Sequence, residues 1–188
     1  MKTVKDSNIA KFTVPGLSKA PAKGVIEALE QRLAELIDLQ LTLKHVHWNV
    51  VGANFIGVHE MLDPQVDAVR EMTDDIAERI ATLGGVPVGT PAAVATTRKS
   101  DDYALGRATV TEHLGALDYW YTEVNAAHRK AIDVVGDVDP VSEDMLIAQL
   151  GELEQFQWFV RAHLQSDVGD LPTTGTKGEV DAAKAAAS

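Results

Sequence analysis

Residues 59–85 read HEMLDPQVDAVREMTDDIAERIATLGG, and this stretch decides the fold. Residues suited to a core recur along it at alternating spacings of three and four: His59, Leu62, Val66, Val69, Thr73, Ile76, Ile80 and Leu83. Gly84 and Gly85 follow directly, as is typical of a helix end. The stretch therefore predicts an amphipathic helix of about seven turns with one buried face.

Three further runs have helical spacing, and no strand signal of comparable strength occurs in the sequence. The apolar positions of the first run, which ends before Gly52, are Ile26, Leu29, Leu33, Leu36 and Leu43. Those of the third run are Val110, Leu114, Leu117, Tyr121, Val124, His128, Ala131 and Val135, and those of the fourth are Leu146, Leu150, Leu153, Val160 and Leu164. Asp139 and Pro140 suit the N-cap and first position of the fourth helix. The sequence predicts an all-α protein.

The lengths of the connections predict how the helices are joined. Only a few residues separate the first helix from the second and the third from the fourth, which favours two antiparallel pairs. Residues 85–102 lie between the pairs and reach ~60 Å when extended, more than the ~42 Å of a helix of about 28 residues. We expect a ferritin-like four-helix bundle whose long crossover carries a short helix within Ala92–Arg98. A plain up-and-down bundle with a flexible loop is the alternative.

Composition sets the remaining limits on the class of protein. The 188 residues include no cysteine, which excludes disulfides and thiolate metal sites. No run reaches the ~18 apolar residues of a membrane helix, so we expect no membrane association and a cytoplasmic location. Both ends lack helical periodicity. We therefore predict a flexible basic tail over residues 1–23, a bundle over 24–167 and a flexible tail over 168–188.

Charge is unevenly distributed along the chain. The formal net charge is −11, yet the first 23 residues carry five lysines against Asp6 alone: Lys2, Lys5, Lys11, Lys19 and Lys23. An acidic body attracts cations and repels a phosphate backbone. A nucleic-acid contact would therefore have to come from these N-terminal lysines.

Five potential metal ligands lie within residues 47–78: His47, His59, Asp63, Asp74 and Glu78. His59 and Asp63 are one helical turn apart, and so are Asp74 and Glu78. The two pairs share one helix face but are ~16 Å apart along the axis, so they cannot bind one ion in a single subunit. His47, at the end of the first helix, is expected to lie beside His59 because only a short turn joins the two helices.

An isologous dimer brings the two groups together. If two copies of the second helix lie antiparallel across a two-fold axis, the histidine end of one subunit meets the acidic end of the other. Imidazole and carboxylate ligands without sulfur suit Fe²⁺ or a similar first-row ion. These residues predict an iron site shared between subunits.

Two other metal sites are excluded by spacing. None of the six histidines has a glutamate three residues before it, as an intrasubunit ferritin centre requires. The zinc-protease pattern fails because the fifth residue of His59-Glu-Met-Leu-Asp63 is not histidine.

Taken singly, each candidate ligand is more simply a packing or solvated residue, and only their joint occurrence favours a site. We expect structural roles for His45, His113, His128 and His163, and core or interface positions for Trp48, Trp120 and Trp158.

The same residues resemble the Dps family, the mini-ferritins named DNA-binding proteins from starved cells. The matching segments are His47-Trp48-Asn49, Gly52–Phe55, His59–Asp63, Asp74, Ala77–Arg79 and Gln155–Val160. The resemblance implies a dodecameric cage with a ferroxidase centre, of up to two irons, at each two-fold interface. It assigns His47, His59 and Asp63 from one subunit and Asp74 and Glu78 from its neighbour. It also implies oxidation of Fe²⁺, preferentially by hydrogen peroxide, and storage of a ferric mineral, which protects DNA from oxidative damage.

Further expectations concern Trp48 and two alternative functions. Trp48, next to His47, is a candidate electron donor at the centre. The first alternative is a nonspecific DNA-compacting scaffold that acts through the N-terminal lysines. The second is a metal-dependent amide hydrolase, in which a metal on the histidines and carboxylates activates water.

Overall fold

Four long helices form the bundle in the computed structural model, which describes residues 10–188. They are α1 (Lys19–Asn49), α2 (Phe55–Thr82), α4 (Val110–Val135) and α5 (Pro140–Leu164). Two short helices, α3 (Pro91–Thr97) and α6 (Glu179–Ala186), and two short strands, β1 (Val50–Val51) and β2 (Ala108–Thr109), complete the described elements. The prediction of a ferritin-like bundle with a short crossover helix is confirmed.

The bundle core follows the predicted apolar spacing. α1 packs on α2, α4 packs on α5, and α1 also packs on α4, so that one continuous core lies between the two pairs. Leu29, Leu36, Leu62, Ile76 and Leu114 are among its completely buried residues. Burying side chains of this size stabilises the fold by about 1.5–3 kcal/mol each relative to exposure.

The crossover runs the full length of the bundle, as predicted. α2 carries the chain away from the end where α1 stops, yet β1 and β2 pair in parallel, with Val50 opposite Ala108. The chain has therefore returned to its starting end before α4 begins. Pro91 occupies the first turn of α3, where a missing N–H is tolerated. Arg98, after α3, donates to Asp38 on α1 at 2.8 Å and fixes the crossover to the bundle.

The C-terminal segment corrects the predicted flexible tail over residues 168–188. α6 packs along α4, with Ala182 and Ala183 buried. A Cβ on Gly115 would lie only 2.5 Å from the Ala182 carbonyl oxygen, so glycine permits this close approach. Thr173 donates to buried Asp118 at 2.5 Å and secures the preceding loop. The small residues that suggest disorder in the sequence instead allow two helices to pack closely.

The predicted N-terminal tail over residues 1–23 lies partly outside the described residues. Residues 1–9, including Lys2 and Lys5, lie outside the described residues. α1 begins at Lys19, several residues before the predicted start of the bundle at 24. Among residues 10–188, no helix is long and apolar enough to cross a membrane.

Candidate metal centre

His47 and His59 lie together at the end of the bundle where α1 turns into α2. His47 occupies the last turn of α1, and His59 lies in the second turn of α2. The turn between them needs left-handed backbone at Gly52 (φ 102°) and Asn54 (φ 61°), which glycine and asparagine tolerate best. The local sequence thus folds the two histidines against each other.

The two imidazoles hold each other in one orientation. Nδ1 of His47 lies 2.9 Å from the carbonyl oxygen of His59, and Nδ1 of His59 lies 2.9 Å from the carbonyl oxygen of His47. The rings stack with centroids 3.6 Å apart. Because a carbonyl oxygen only accepts hydrogen bonds, each Nδ1 carries a proton, and Nε2 is the ring nitrogen that has no hydrogen-bond partner in the described part of the chain. Neutral imidazole with Nδ1–H bonded to a carbonyl is the usual form of a metal-binding histidine.

Asp63 adds a carboxylate beside this pair. Its Oδ1 lies 3.3 Å from Nδ1 of His47 and 2.6 Å from Nζ of Lys44. The hydrogen bond from Lys44 lowers the pKa of Asp63, and the adjacent histidines act in the same direction against partial desolvation. Asp63 is therefore ionised at neutral pH.

Lys44 is not among the residues that the sequence predicts for the site. Its position one helical turn before His47 on α1 is the only signal it leaves in the sequence, and a lysine at that spacing is ordinary for an exposed helix face. The contact with Asp63 joins residues 19 positions apart, so it depends on the packing of α1 against α2.

Asp74 and Glu78 lie on the exposed side of α2, away from the histidine end. In the described part of the chain neither carboxylate makes a side-chain hydrogen bond or an ion pair. Nor do residues 10–188 of a single chain bring together three or more histidine and acidic side chains able to hold a metal ion. The metal site that the sequence predicts is therefore not formed within the described residues of one subunit.

Three exposed apolar side chains lie on the parts of α1 and α2 next to the turn that joins them. Trp48 is 71% exposed, and Leu41, two turns earlier on the same face of α1, is 61% exposed. Ile56, at the start of α2, is 58% exposed. Large apolar residues grouped on a surface mark a protein–protein contact. Of the two predicted roles for Trp48, the core is therefore excluded and the interface remains a prediction.

Of the other four histidines, two bond to backbone carbonyls and two are completely buried. His45 bonds to the Leu105 carbonyl at 2.8 Å, and His163 bonds to the Phe159 carbonyl at 2.7 Å within its own helix. His113 and His128 are completely buried in α4. Burial lowers the pKa of His128 to about 4, and the charge of Arg32 acts in the same direction, so this histidine is neutral at pH 7.

Comparison with known proteins places this arrangement in context. A ferritin-like domain model matches residues 26–167. The DNA protection during starvation protein of Mycolicibacterium smegmatis is 55% identical over 175 residues, which cover 93% of this chain and 96% of that protein. The solved structure of Mycobacterium smegmatis Dps has a TM-score of 0.87 at 55% identity and covers 90% of this chain and 99% of its own. DpsA14 from Streptomyces coelicolor has a TM-score of 0.85 at 60% identity, with 87% and 97% covered.

Proposed function

This chain belongs to the Dps family of ferritin-like proteins, and from that premise we propose that it oxidises Fe²⁺ with hydrogen peroxide and stores the ferric product. The observation that carries the proposal is the pair of reciprocally bonded imidazoles, His47 and His59, whose Nε2 atoms make no hydrogen bond within the described chain. Ionised Asp63 lies beside them and would add an oxygen ligand to the two nitrogens, a combination that suits iron. Iron is the substrate and cargo of this reaction.

We place the centre at a two-fold interface. His47, His59 and Asp63 of one subunit face Asp74 and Glu78 of the partner subunit, and symmetry makes a second identical centre in each dimer. Two observations support this arrangement. Asp74 and Glu78 have no side-chain partner within the described part of their own chain, and the apolar residues near the histidine end offer a surface for the second copy. In the proposed cage, six such dimers form a dodecamer, as the family resemblance implies.

The ligands direct the chemistry towards oxidation. Two Fe²⁺ ions each give one electron to hydrogen peroxide, which takes up two protons and leaves as two water molecules. Carboxylates stabilise Fe³⁺ more than Fe²⁺ because the higher charge is attracted more strongly, so the acidic ligands favour electron loss. Asp63 exchanges the ammonium of Lys44 for iron, so its negative charge is balanced before and after metal binding.

The test compares the parent protein with an Asp74→Asn/Glu78→Gln variant. Both are loaded with Fe²⁺ without oxygen and given peroxide stepwise, while iron oxidation and hydroxyl radical are followed. We expect the parent to consume about two irons per peroxide without releasing radicals, and the variant to oxidise iron at least roughly 100-fold more slowly, because it lacks two of the ligands.

Asp133→Asn/Asp137→Asn is the matched control. It makes the same change of charge, at the same spacing, on two exposed carboxylates that lie outside α2 and its proposed interface. The control should behave as the parent does. If both double variants lose activity equally, general surface charge rather than a defined centre controls the oxidation, and the proposal fails.

DNA binding is a second proposed function, and it rests on the N-terminal lysines and on the name of the relative that protects DNA during starvation. Lys11, Lys19 and Lys23 are exposed, and Lys2 and Lys5 lie outside the described residues. We expect weak, nonspecific retardation of duplex DNA that disappears as salt rises. The variant Lys2→Gln/Lys5→Gln/Lys11→Gln should bind more weakly, with a salt slope smaller by about 0.9 for each phosphate that the protein no longer neutralises.

The control for this measurement is Lys177→Gln/Lys184→Gln in the C-terminal segment, which should bind DNA as the parent does. Equal weakening in both variants would show that net charge, not the N-terminal segment, governs binding.

No observation on the described residues favours the amide hydrolase.

A further inference from the structure

A tyrosine–histidine pair lies beside the candidate metal centre without belonging to it. The hydroxyl of Tyr103, in the crossover, is 3.0 Å from Nδ1 of His113 on α4, and their rings lie nearly parallel. His113 is completely buried. Burial lowers the pKa of His113 and raises that of Tyr103, so both side chains are neutral at pH 7.

The direction of the hydrogen bond follows from the surroundings. The backbone of Asn49 and that of Gly106 lie close to the ring of His113, but its Nε2 has no hydrogen-bond partner among the described residues. The described residues offer the Tyr103 hydroxyl no other hydrogen-bond partner. A neutral imidazole has one nitrogen that donates and one that accepts. If Nδ1 of His113 were the donor, the hydroxyl hydrogen of Tyr103 would have no acceptor. Tyr103 therefore donates to Nδ1 of His113.

The pair packs against the part of α1 that contains the centre. The ring of His45 contacts the ring of Tyr103 edge-on at 5.7 Å between centroids. The backbone of Asn49 lies against His113. His47 and Trp48 lie between these two contact positions in the chain. On its other side, Tyr103 lies 6.0 Å from the ring of Trp120, which donates its indole N–H to Glu179.

We propose that Tyr103 and His113 act as a one-electron donor that removes hydroxyl radicals formed when a single iron reacts at the centre. One Fe²⁺ reduces peroxide to hydroxide and hydroxyl radical. Tyr103 then gives one electron to that radical, which becomes hydroxide, and passes its phenolic proton to Nδ1 of His113. The products are a neutral tyrosyl radical and an imidazolium ion. This inference rests on the proposed iron oxidation, which supplies the radical.

The hydroxyls of the two remaining tyrosines are not bonded to a group that can take up their proton. Tyr121 is also completely buried, but its hydroxyl donates to Oε1 of Gln65 at 2.7 Å, and an amide does not take up a proton at neutral pH. Tyr119 donates to the backbone carbonyl of Lys177 at 3.4 Å. The sequence contains only these three tyrosines, so each can be replaced in turn.

The first experiment detects the radical by electron paramagnetic resonance. The assembled protein is given less Fe²⁺ than one ion per centre, mixed with peroxide and frozen within milliseconds to seconds. A second sample with ring-deuterated tyrosine identifies the signal as tyrosyl by its narrowing. We expect the signal to be lost in Tyr103→Phe and retained in the matched control Tyr121→Phe. His113→Gln keeps a hydrogen-bond acceptor but no base, and it should lose the signal as well.

The second experiment tests without iron whether Tyr103 is the electron donor. In metal-free protein, azide radicals produced by pulse radiolysis oxidise exposed tryptophans, and Trp158 is 60% exposed. We expect the tryptophan radical to decay into a tyrosyl radical in the parent and in Tyr121→Phe, but not in Tyr103→Phe. Circular dichroism of each variant confirms that the helices persist.

The outcomes separate this inference from the proposed function. Rapid iron oxidation together with an unchanged tyrosyl signal in Tyr103→Phe overturns the role of the pair and leaves the ferroxidase proposal intact. Absence of iron oxidation in the parent overturns the ferroxidase proposal, and the azide experiment then decides whether Tyr103 is the donor. If Tyr103→Phe and the parent form equal amounts of tyrosyl radical in the azide experiment, the role of the Tyr103–His113 pair is overturned, whether or not the parent oxidises iron.

Discussion

Two inactive variants of this chain should regain iron oxidation when their subunits are mixed. His59→Gln/Asp63→Asn removes ligands from the histidine end, and Asp74→Asn/Glu78→Gln removes them from the acidic end. In a mixed dimer, one centre combines both damaged ends and the other combines both intact ends. With random mixing in equal amounts, half of the dimers are mixed and each has one working centre of two. About a quarter of the parental activity should therefore return.

The measurement requires subunits that exchange, so the variants are unfolded, combined and refolded together, and assembly is confirmed by light scattering. Each variant refolded alone sets the background. A mixture of the single variants His59→Gln and Asp63→Asn is the matched control, since every centre then lacks one ligand of the histidine end. Recovery in this control, or none in the first mixture, contradicts a centre shared between subunits.

The sequence predicts the helices well because their apolar spacing is a local property. Residues 59–83 show the buried face of α2 directly, and Asp139-Pro140 marks the start of α5. The crossover helix was predictable because the length of the connection and Pro91 both indicate it. Gly84, with φ at 90°, ends the α2 region as its sequence suggests.

The features that the sequence does not predict depend on packing between distant segments. α6 is rich in small residues that indicate disorder, and its place on α4 depends on Gly115, more than 60 residues earlier. Tyr103 lies in an irregular part of the crossover, so no periodicity relates it to His113. The orientation of His47 and His59 depends on the backbone carbonyls at the turn, whose positions no side-chain pattern reveals.

Replacing Asp139 by alanine should destabilise the protein by about 3–5 kcal/mol, because a largely buried guanidinium loses its partner. Arg79 on α2 donates to both carboxylate oxygens of Asp139, at 2.8 and 2.6 Å, and to Ser142 at 3.0 Å. The side chains of Arg79 and Asp139 are only 13% and 6% exposed. Urea unfolding followed by circular dichroism, at one fixed protein concentration, measures the change.

Asp137→Ala is the control, since this aspartate is two residues away and exposed. It should change stability by less than about 0.5 kcal/mol.

The stabilising effect of the ion pair between Arg79 and Asp139 depends on pH. Burial alone would raise the pKa of Asp139, but hydrogen bonds from Arg79 and Ser142 hold it below its ordinary value of 3.8. The pair is therefore fully effective above pH 3.8, and its contribution is lost as the pH falls further.

This pair also connects stability to the proposed centre, because Arg79 directly follows Glu78 on α2. Fixing Arg79 to the start of α5 holds the acidic end of α2 in place, whereas nothing in its own described chain holds the side chain of Glu78. Asp139→Ala should therefore reduce iron affinity as well as stability, while Asp137→Ala changes neither. Reduced stability with unchanged iron affinity would show that α2 keeps Glu78 in position without Arg79, and that the partner subunit's surface provides the remaining support.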